Sequence, residues 1–147
     1  MKGDIKRIRE TMTSSIFEVF EKMFYIFLEP LDIRYDGYDM QTAISFEGII
    51  SGHVIILFSK EIARAMFQNM LGVEDDDIER QDMEDCSKEA TNMVCGNFLR
   101  RLYDTQVFNL SMPTFTEYKS ENLELDDDIC RMDFDSDNGK IGVMVKI

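Results

Sequence analysis

Asp85, Glu89, Asn92 and Gly96 stand four, three and four residues apart in one stretch of the chain. Side chains at these spacings share a face when the stretch is helical. A carboxylate on such a face can pair with a cation, and the Asn92 carboxamide can both donate and accept hydrogen bonds. Taken alone, the stripe is a solvated helix face. Two residue choices argue for more. Asparagine and glycine are both poor helix formers, and glycine costs about 1 kcal/mol against alanine in a helix interior. Having both beside a glutamate suggests a surface shaped for a partner. The missing side chain of Gly96 leaves a gap through which another backbone can approach.

The elements that must position this stripe are legible from periodicity. Ala90, Val94, Phe98 and Leu102, with Thr91 and Cys95 beside them, form an apolar stripe on the other side of the same stretch. The pattern predicts a helix from about Met83 to Tyr103 with one face on the core and the other in solvent. Upstream, Ser59 is placed as an N-cap and Gly72 as a C-terminal glycine for a helix from Lys60 to Leu71. Ile62, Ala65, Met66 and Met70 form its expected buried face. A first helix is expected over 4–29, with Ile5, Met12, Ile16, Phe20, Met23 and Phe27 in one stripe, stopped by Pro30. Residues 31–40 read as a loop or short edge strand.

Strands are expected at 41–48 and 51–59, linked by a segment carrying Gly48 and Gly52. The apolar run Val54–Phe58 suits a central strand buried on both faces. Further strands are expected at about 106–118, which contains Pro113, at 128–136, and at 140–147. Asn138-Gly139 joins the last two as a two-residue turn. This order gives an α+β fold with a mainly antiparallel sheet.

The chain has 147 residues, close to the size of one domain, so residues 1–147 are expected to fold as a single unit. With 29 acidic and 16 basic residues the net charge is −13. That argues against nucleic acid or an anionic membrane as the main partner, since either needs a basic patch. Cys86, Cys95 and Cys130 are odd in number and show no CxxC pair, which points to a reducing compartment and no disulfide or zinc framework. His53 is the only histidine and reads as structural; a multi-histidine metal centre is excluded. The charged N-terminus lacks the apolar core of a signal peptide, and Met23–Leu28 is too short for a membrane span. A cytoplasmic location is expected, with no metal or cofactor held by the chain.

Other patterns carry less. Asp133, Asp135 and Asp137 open like a calcium loop. An EF-hand needs glycine sixth and glutamate twelfth, where this chain has Asn138 and Met144. Alternating aspartates on the outer face of a strand explain the pattern better. Glu74-Asp75-Asp76-Asp77 and Asp126-Asp127-Asp128 read as solvated loops.

The spacing Asp85-xxx-Glu89-xx-Asn92 resembles the signature of the CheC/CheX/FliY chemotaxis phosphatases, and the run Glu89–Asn97 is most similar to the CheX branch. Phe46-Glu47-Gly48 followed by Gly52–Phe58 resembles the glycine-linked strand pair of that family. Met70-Leu71-Gly72 resembles the end of its next helix, and Pro113 resembles a proline some twenty residues after the asparagine. The likeness spans about residues 41–115. These phosphatases are built from a pseudo-repeat, and some members have an active helix in each half. Ser14-xxx-Glu18-xx-Glu21 in the first helix has the same spacing, but Glu21 replaces the amide. A carboxylate there would repel a phosphoryl group, so that half reads as lacking a site.

The resemblance implies a phosphatase acting on the phospho-aspartate of a CheY-like response regulator. Asn92 would orient the attacking water and Glu89 would pair with the regulator's lysine, while Asp85, Gly96 and Pro113 would support the site or its shape. Mg2+ is expected in the partner regulator. The resemblance also implies a homodimer through sheet edges, for which Ile141–Ile147 is the candidate edge. Two alternatives stay open: a non-catalytic, regulator-binding or switch-like adaptor of the same fold, and an unrelated acidic interaction domain.

Overall fold

The computed structural model describes residues 2–74, 77–119 and 129–147. Asp75, Asp76 and the Asp126–Asp128 run lie outside the described residues. The element order is α1 (Lys2–Phe24), β1 (Glu29–Leu31), β2 (Met40–Glu47), β3 (Ser51–Phe58), α2 (Lys60–Leu71), α3 (Arg80–Tyr103), β4 (Asn109–Leu110), β5 (Thr114–Glu117), β6 (Ile129–Asp135) and β7 (Ile141–Lys146). The strands form one sheet in the order β1-β6-β7-β3-β2-β4, with β5 also on β2, and every pair is antiparallel. The α+β architecture is therefore the expected one.

All three helices pack against one face of this sheet. Burial alternates along β2, with Met40, Thr42, Ile44 and Phe46 turned to the helices. They meet Val54, Ile56 and Phe58 of β3, Ile16 and Phe20 of α1, and Ala90, Val94 and Phe98 of α3 in one core. The other face of the sheet is partly covered by a smaller cluster of Tyr38, Leu57, Tyr118 and Met144. Leu57 lies in that cluster, so β3 is buried on both faces as its apolar run requires.

Local chemistry explains the element boundaries. The Ser59 hydroxyl caps α2 by accepting from the Ile62 amide, and Gly72 closes the helix with φ at 67°. Met70, expected inside, is exposed; Ala63 takes its place in the buried face. At the start of α3, Glu79 and Asp82 form a reciprocal capping box.

The first helix differs from expectation. It ends at Phe24, not near Glu29, because Tyr25 turns left-handed with φ at 55°. The amides of Tyr25 and Ile26 bond back to the carbonyls of Glu21 and Phe20. The Asn69 amide from α2 takes the Phe24 carbonyl at 2.9 Å. Beyond this point burial alternates: Phe24, Ile26 and Leu28 are inside, while Tyr25 and Phe27 are exposed. Phe27 and Ile5, both placed in the core stripe, are therefore outside.

Two further expectations are corrected. The β6–β7 connection spans 136–140 and is longer than a two-residue turn. The final strand is not an edge either, since β7 is bonded to β6 on one side and β3 on the other. It has no free edge to pair with a second copy. Asp133, placed among solvated aspartates, is buried: Arg131 pairs with it at 3.1 Å and the Tyr38 hydroxyl donates to it at 2.7 Å.

Gly139 is fixed by a close approach. Its φ is 124°, and an added Cβ would lie 2.5 Å from the Ser59 hydroxyl and 2.9 Å from the Ile62 amide. Both atoms belong to the α2 cap. Gly139→Ala is expected to cost about 2 kcal/mol, which calorimetry would read as a fall in Tm of about 6 °C.

Candidate functional site

The two faces of α3 divide as the sequence predicts. Ala90, Thr91, Val94, Cys95, Phe98 and Leu102 are buried, while Asp85, Glu89 and Asn92 are exposed and Gly96 is half-buried. The helix is held in register by a buried hydrogen bond of 2.5 Å between the hydroxyls of Thr91 and Thr42 of β2. Thr91 is the immediate neighbour of Asn92, so this bond fixes the backbone that carries the amide.

The Asp85 carboxylate accepts from Gln81 at 2.8 Å, one turn before Glu89. Neither the Glu89 carboxylate nor the Asn92 amide is hydrogen-bonded to another described residue. Lys88, the nearest cation in sequence, is paired with Glu84. Above Gly96 there is open space, since an added Cβ would meet nothing within 4 Å. Glycine at this position is thus not demanded by packing within the chain.

No thiol serves this ridge. Cys86 and Cys95 lie behind it, and burial pushes both up to about 12, so they remain protonated core residues. His53 is exposed, not within the core, and lies on β3 next to buried Val54, hence on the sheet face away from the helices.

The counterpart stripe on α1 is engaged. Glu18 accepts from Asn97 at 3.0 Å and from Lys22 at 2.8 Å, and it forms an ion pair with Arg101. Arg101 in turn donates to Asn97. The carboxylate that matches Glu89 in spacing therefore ties α1 to α3, and sequence spacing gave no sign of it. Lys22, Asn97 and Arg101, in that order, hold the Glu18 carboxyl down from 4.5 to about 2.

A carboxyl depressed on folding stabilises above its unfolded value and loses that contribution as pH falls through its folded value. The stability difference between wild type and Glu18→Gln is thus expected to be full above about pH 4.5 and to vanish as pH approaches 2. Thermal unfolding of both proteins across this range measures it; a pH-independent gap would contradict the assignment.

Pro113 lies just before β5, partly buried, at an interruption of the strand expected over 106–118. β4 and β5 flank this break, and both pair with β2.

An α+β molecule with three helices on an antiparallel sheet in this order has the fold of the CheC/CheX-like proteins. The family model described as chemotaxis phosphatase CheX matches residues 40–135, and the chain belongs to that family. Similar solved structures include chemotaxis protein CheX from Vibrio vulnificus, 24% identical with a TM-score of 0.80 over 95% of each chain. Chemotaxis protein CheX from Desulfovibrio desulfuricans is 21% identical, with a TM-score of 0.76 over 95% of this chain and 97% of that one. The CheX-CheY-BeF3-Mg2+ complex from Borrelia burgdorferi is 20% identical, with a TM-score of 0.71 over 93% and 95%. No curated protein matches by sequence. Likeness at these identities speaks for the fold. Among the described residues, no helix is long and apolar enough to cross a membrane.

Proposed function

We propose that this protein hydrolyses the aspartyl phosphate of a CheY-type response regulator, with Glu89 and Asn92 inserted into the regulator's phosphorylated pocket. The observation that carries the reading is the exposed ridge itself: an acid and an amide one turn apart, unengaged, on a helix pinned from behind.

The chemistry asks little more of this chain. An acyl phosphate is already reactive, and phosphoryl transfer depends mainly on positioning and charge compensation. The regulator's own pocket supplies Mg2+ for charge compensation, in keeping with the Borrelia complex, which joins CheX to CheY with beryllium fluoride and magnesium. What is lacking is a water held in line with the scissile bond. The Asn92 carboxamide can accept a hydrogen bond from that water and donate one to a phosphoryl oxygen. Glu89 pairs with the regulator's lysine and sets the register of the inserted helix. No covalent intermediate on this chain is needed.

One active ridge per chain follows from the fate of α1. Its Glu18 is held by Lys22, Asn97 and Arg101, and an exposed carboxylate, Glu21, stands where an amide is required. The deciding experiment follows decay of a phosphorylated CheY-type regulator from the same organism with catalytic amounts of this protein. Accelerated decay with turnover supports the phosphatase; tight binding with unaltered decay would make the protein an adaptor.

A further inference from the structure

The break between β4 and β5 is a one-residue bulge. Phe46 pairs with Leu110 and Ala43 with Thr114, so Ile44 and Ser45 of β2 are opposed by Ser111, Met112 and Pro113. An extra residue on one strand bends it and re-aims a side chain, a device found at sheet edges and beside active sites. Here the bulge is braced. The Ser111 amide donates to the Ser45 carbonyl at 2.9 Å. The Ser45 amide donates to the Ser111 hydroxyl, also at 2.9 Å. Pro113 has no N–H to leave unpaired. Met112 is the residue thrown outward, and it is 87% exposed.

The bulge lies beside the proposed ridge. At one end of α3, Arg80 pairs with Glu117 of β5 at 3.3 Å. At the other, the rings of Tyr103 and Phe108 are 5.9 Å apart, just before β4. The midpoint of 80–103 falls at 91–92, and that of 108–117 at 112–113. Thr91 anchors the middle of the helix to this same edge, because it bonds to Thr42, whose strand partner Phe115 lies three residues beyond Met112. The flank is the same as well. Tyr103 is eleven residues beyond Asn92, about three turns, and so projects on the same side. The other flank of α3, through Asn97 and Arg101, is closed by Glu18 of α1.

The geometry points to Met112 as the apolar docking contact for the phosphorylated receiver domain, received on the rim of the pocket that Glu89 and Asn92 enter. This rests on the function proposed above. A polarisable, unbranched side chain adapts to a partner surface at small cost. Rigid presentation of it on the braced bulge lowers the ordering cost of association. The contact adds affinity for the receiver and takes no part in orienting the water.

The test uses the full chain and a CheY-type receiver domain from the same organism, phosphorylated with phosphoramidate. Met112→Ser is expected to raise KM about tenfold with kcat unchanged, and Met112→Leu to restore the wild-type KM. Asn92→Ala, run in parallel, is expected to lower kcat and leave KM in place. Unchanged KM in Met112→Ser, with kcat lost in Asn92→Ala, overturns the docking role and leaves the phosphatase reading intact. A fall in kcat in Met112→Ser without a rise in KM also overturns it. So does loss of a dimer by light scattering with KM unmoved, which would assign the residue to self-association. Unaltered decay in Asn92→Ala sinks the underlying reading, and the docking role with it.

Discussion

Asn92→Ala is expected to slow dephosphorylation at saturating regulator by about a hundredfold, the scale of losing reactant positioning. Binding of a beryllofluoride-treated regulator should change little, because the role proposed for the amide is on the water and the phosphoryl group, not in anchoring the helix. The same substitution should raise thermal stability slightly. The Asn92 side chain is exposed and makes no hydrogen bond to another described residue, and alanine is the better helix former by about 0.5 kcal/mol. An amide that weakens its own helix and has no hydrogen-bond partner among the described residues fits the external role proposed for it. Asn92→Asp separates positioning from mere polarity. It keeps the size and an acceptor, removes the donors, and brings a negative charge to an anion, so its rate should be no higher than that of the alanine variant. Timed decay of the phosphorylated regulator reads all three proteins, and wild-type rates in both variants would remove Asn92 from the mechanism.

The ridge was legible before the fold because α3 obeys a single period from end to end. Its apolar stripe at Ala90, Val94, Phe98 and Leu102 leaves only one direction for Asp85, Glu89 and Asn92 to point. Ser59 and Gly72 marked α2 for a similar reason: a cap hydroxyl and a left-handed glycine are local chemistry. The end of α1 was not legible. Tyr25-Ile26-Phe27-Leu28 is apolar throughout, so the change from a helical to an alternating pattern leaves no mark in polarity. An aromatic residue in left-handed conformation has no sequence signature either. Pro30 then drew the expected boundary too far along.

The other misses are matters of tertiary pairing. An apolar final strand reads equally well as an edge or a centre, and only the positions of β6 and β3 place β7 inside. The engagement of Glu18 leaves no mark in its spacing to Ser14 and Glu21, because its partners Asn97 and Arg101 lie some eighty residues away. The bulge at Met112 depends on a count against β2 that no single strand contains. Pro113 stands out through the resemblance, and its neighbour Met112 carries no mark in the sequence. What escaped the sequence is thus what one element does to another, and the two flanks of the ridge, Glu18 on one side and Met112 on the other, are both of this kind.

Glu89→Ala is expected to weaken binding of the beryllofluoride-treated regulator by on the order of a hundredfold, with kcat at saturation changed only a few-fold. The carboxylate is exposed in the free protein and makes no hydrogen bond to another described residue, so its removal leaves stability within about 0.5 kcal/mol. In the proposed complex it meets a lysine inside a pocket closed by the inserted helix. Truncation there strands a desolvated cation, and the loss is far larger than for an exposed pair. Glu89→Gln should fall between, since the amide still accepts a hydrogen bond but carries no charge. The charge difference gives an independent readout. Wild-type affinity should fall more steeply with ionic strength than that of either variant. Glu18, the one carboxylate of matching spacing on α1, cannot substitute, because Lys22, Asn97 and Arg101 already hold it. Titrations at low and high salt decide the matter: equal affinities for wild type and Glu89→Ala, with equal salt slopes, would mean that the regulator's lysine finds its partner elsewhere.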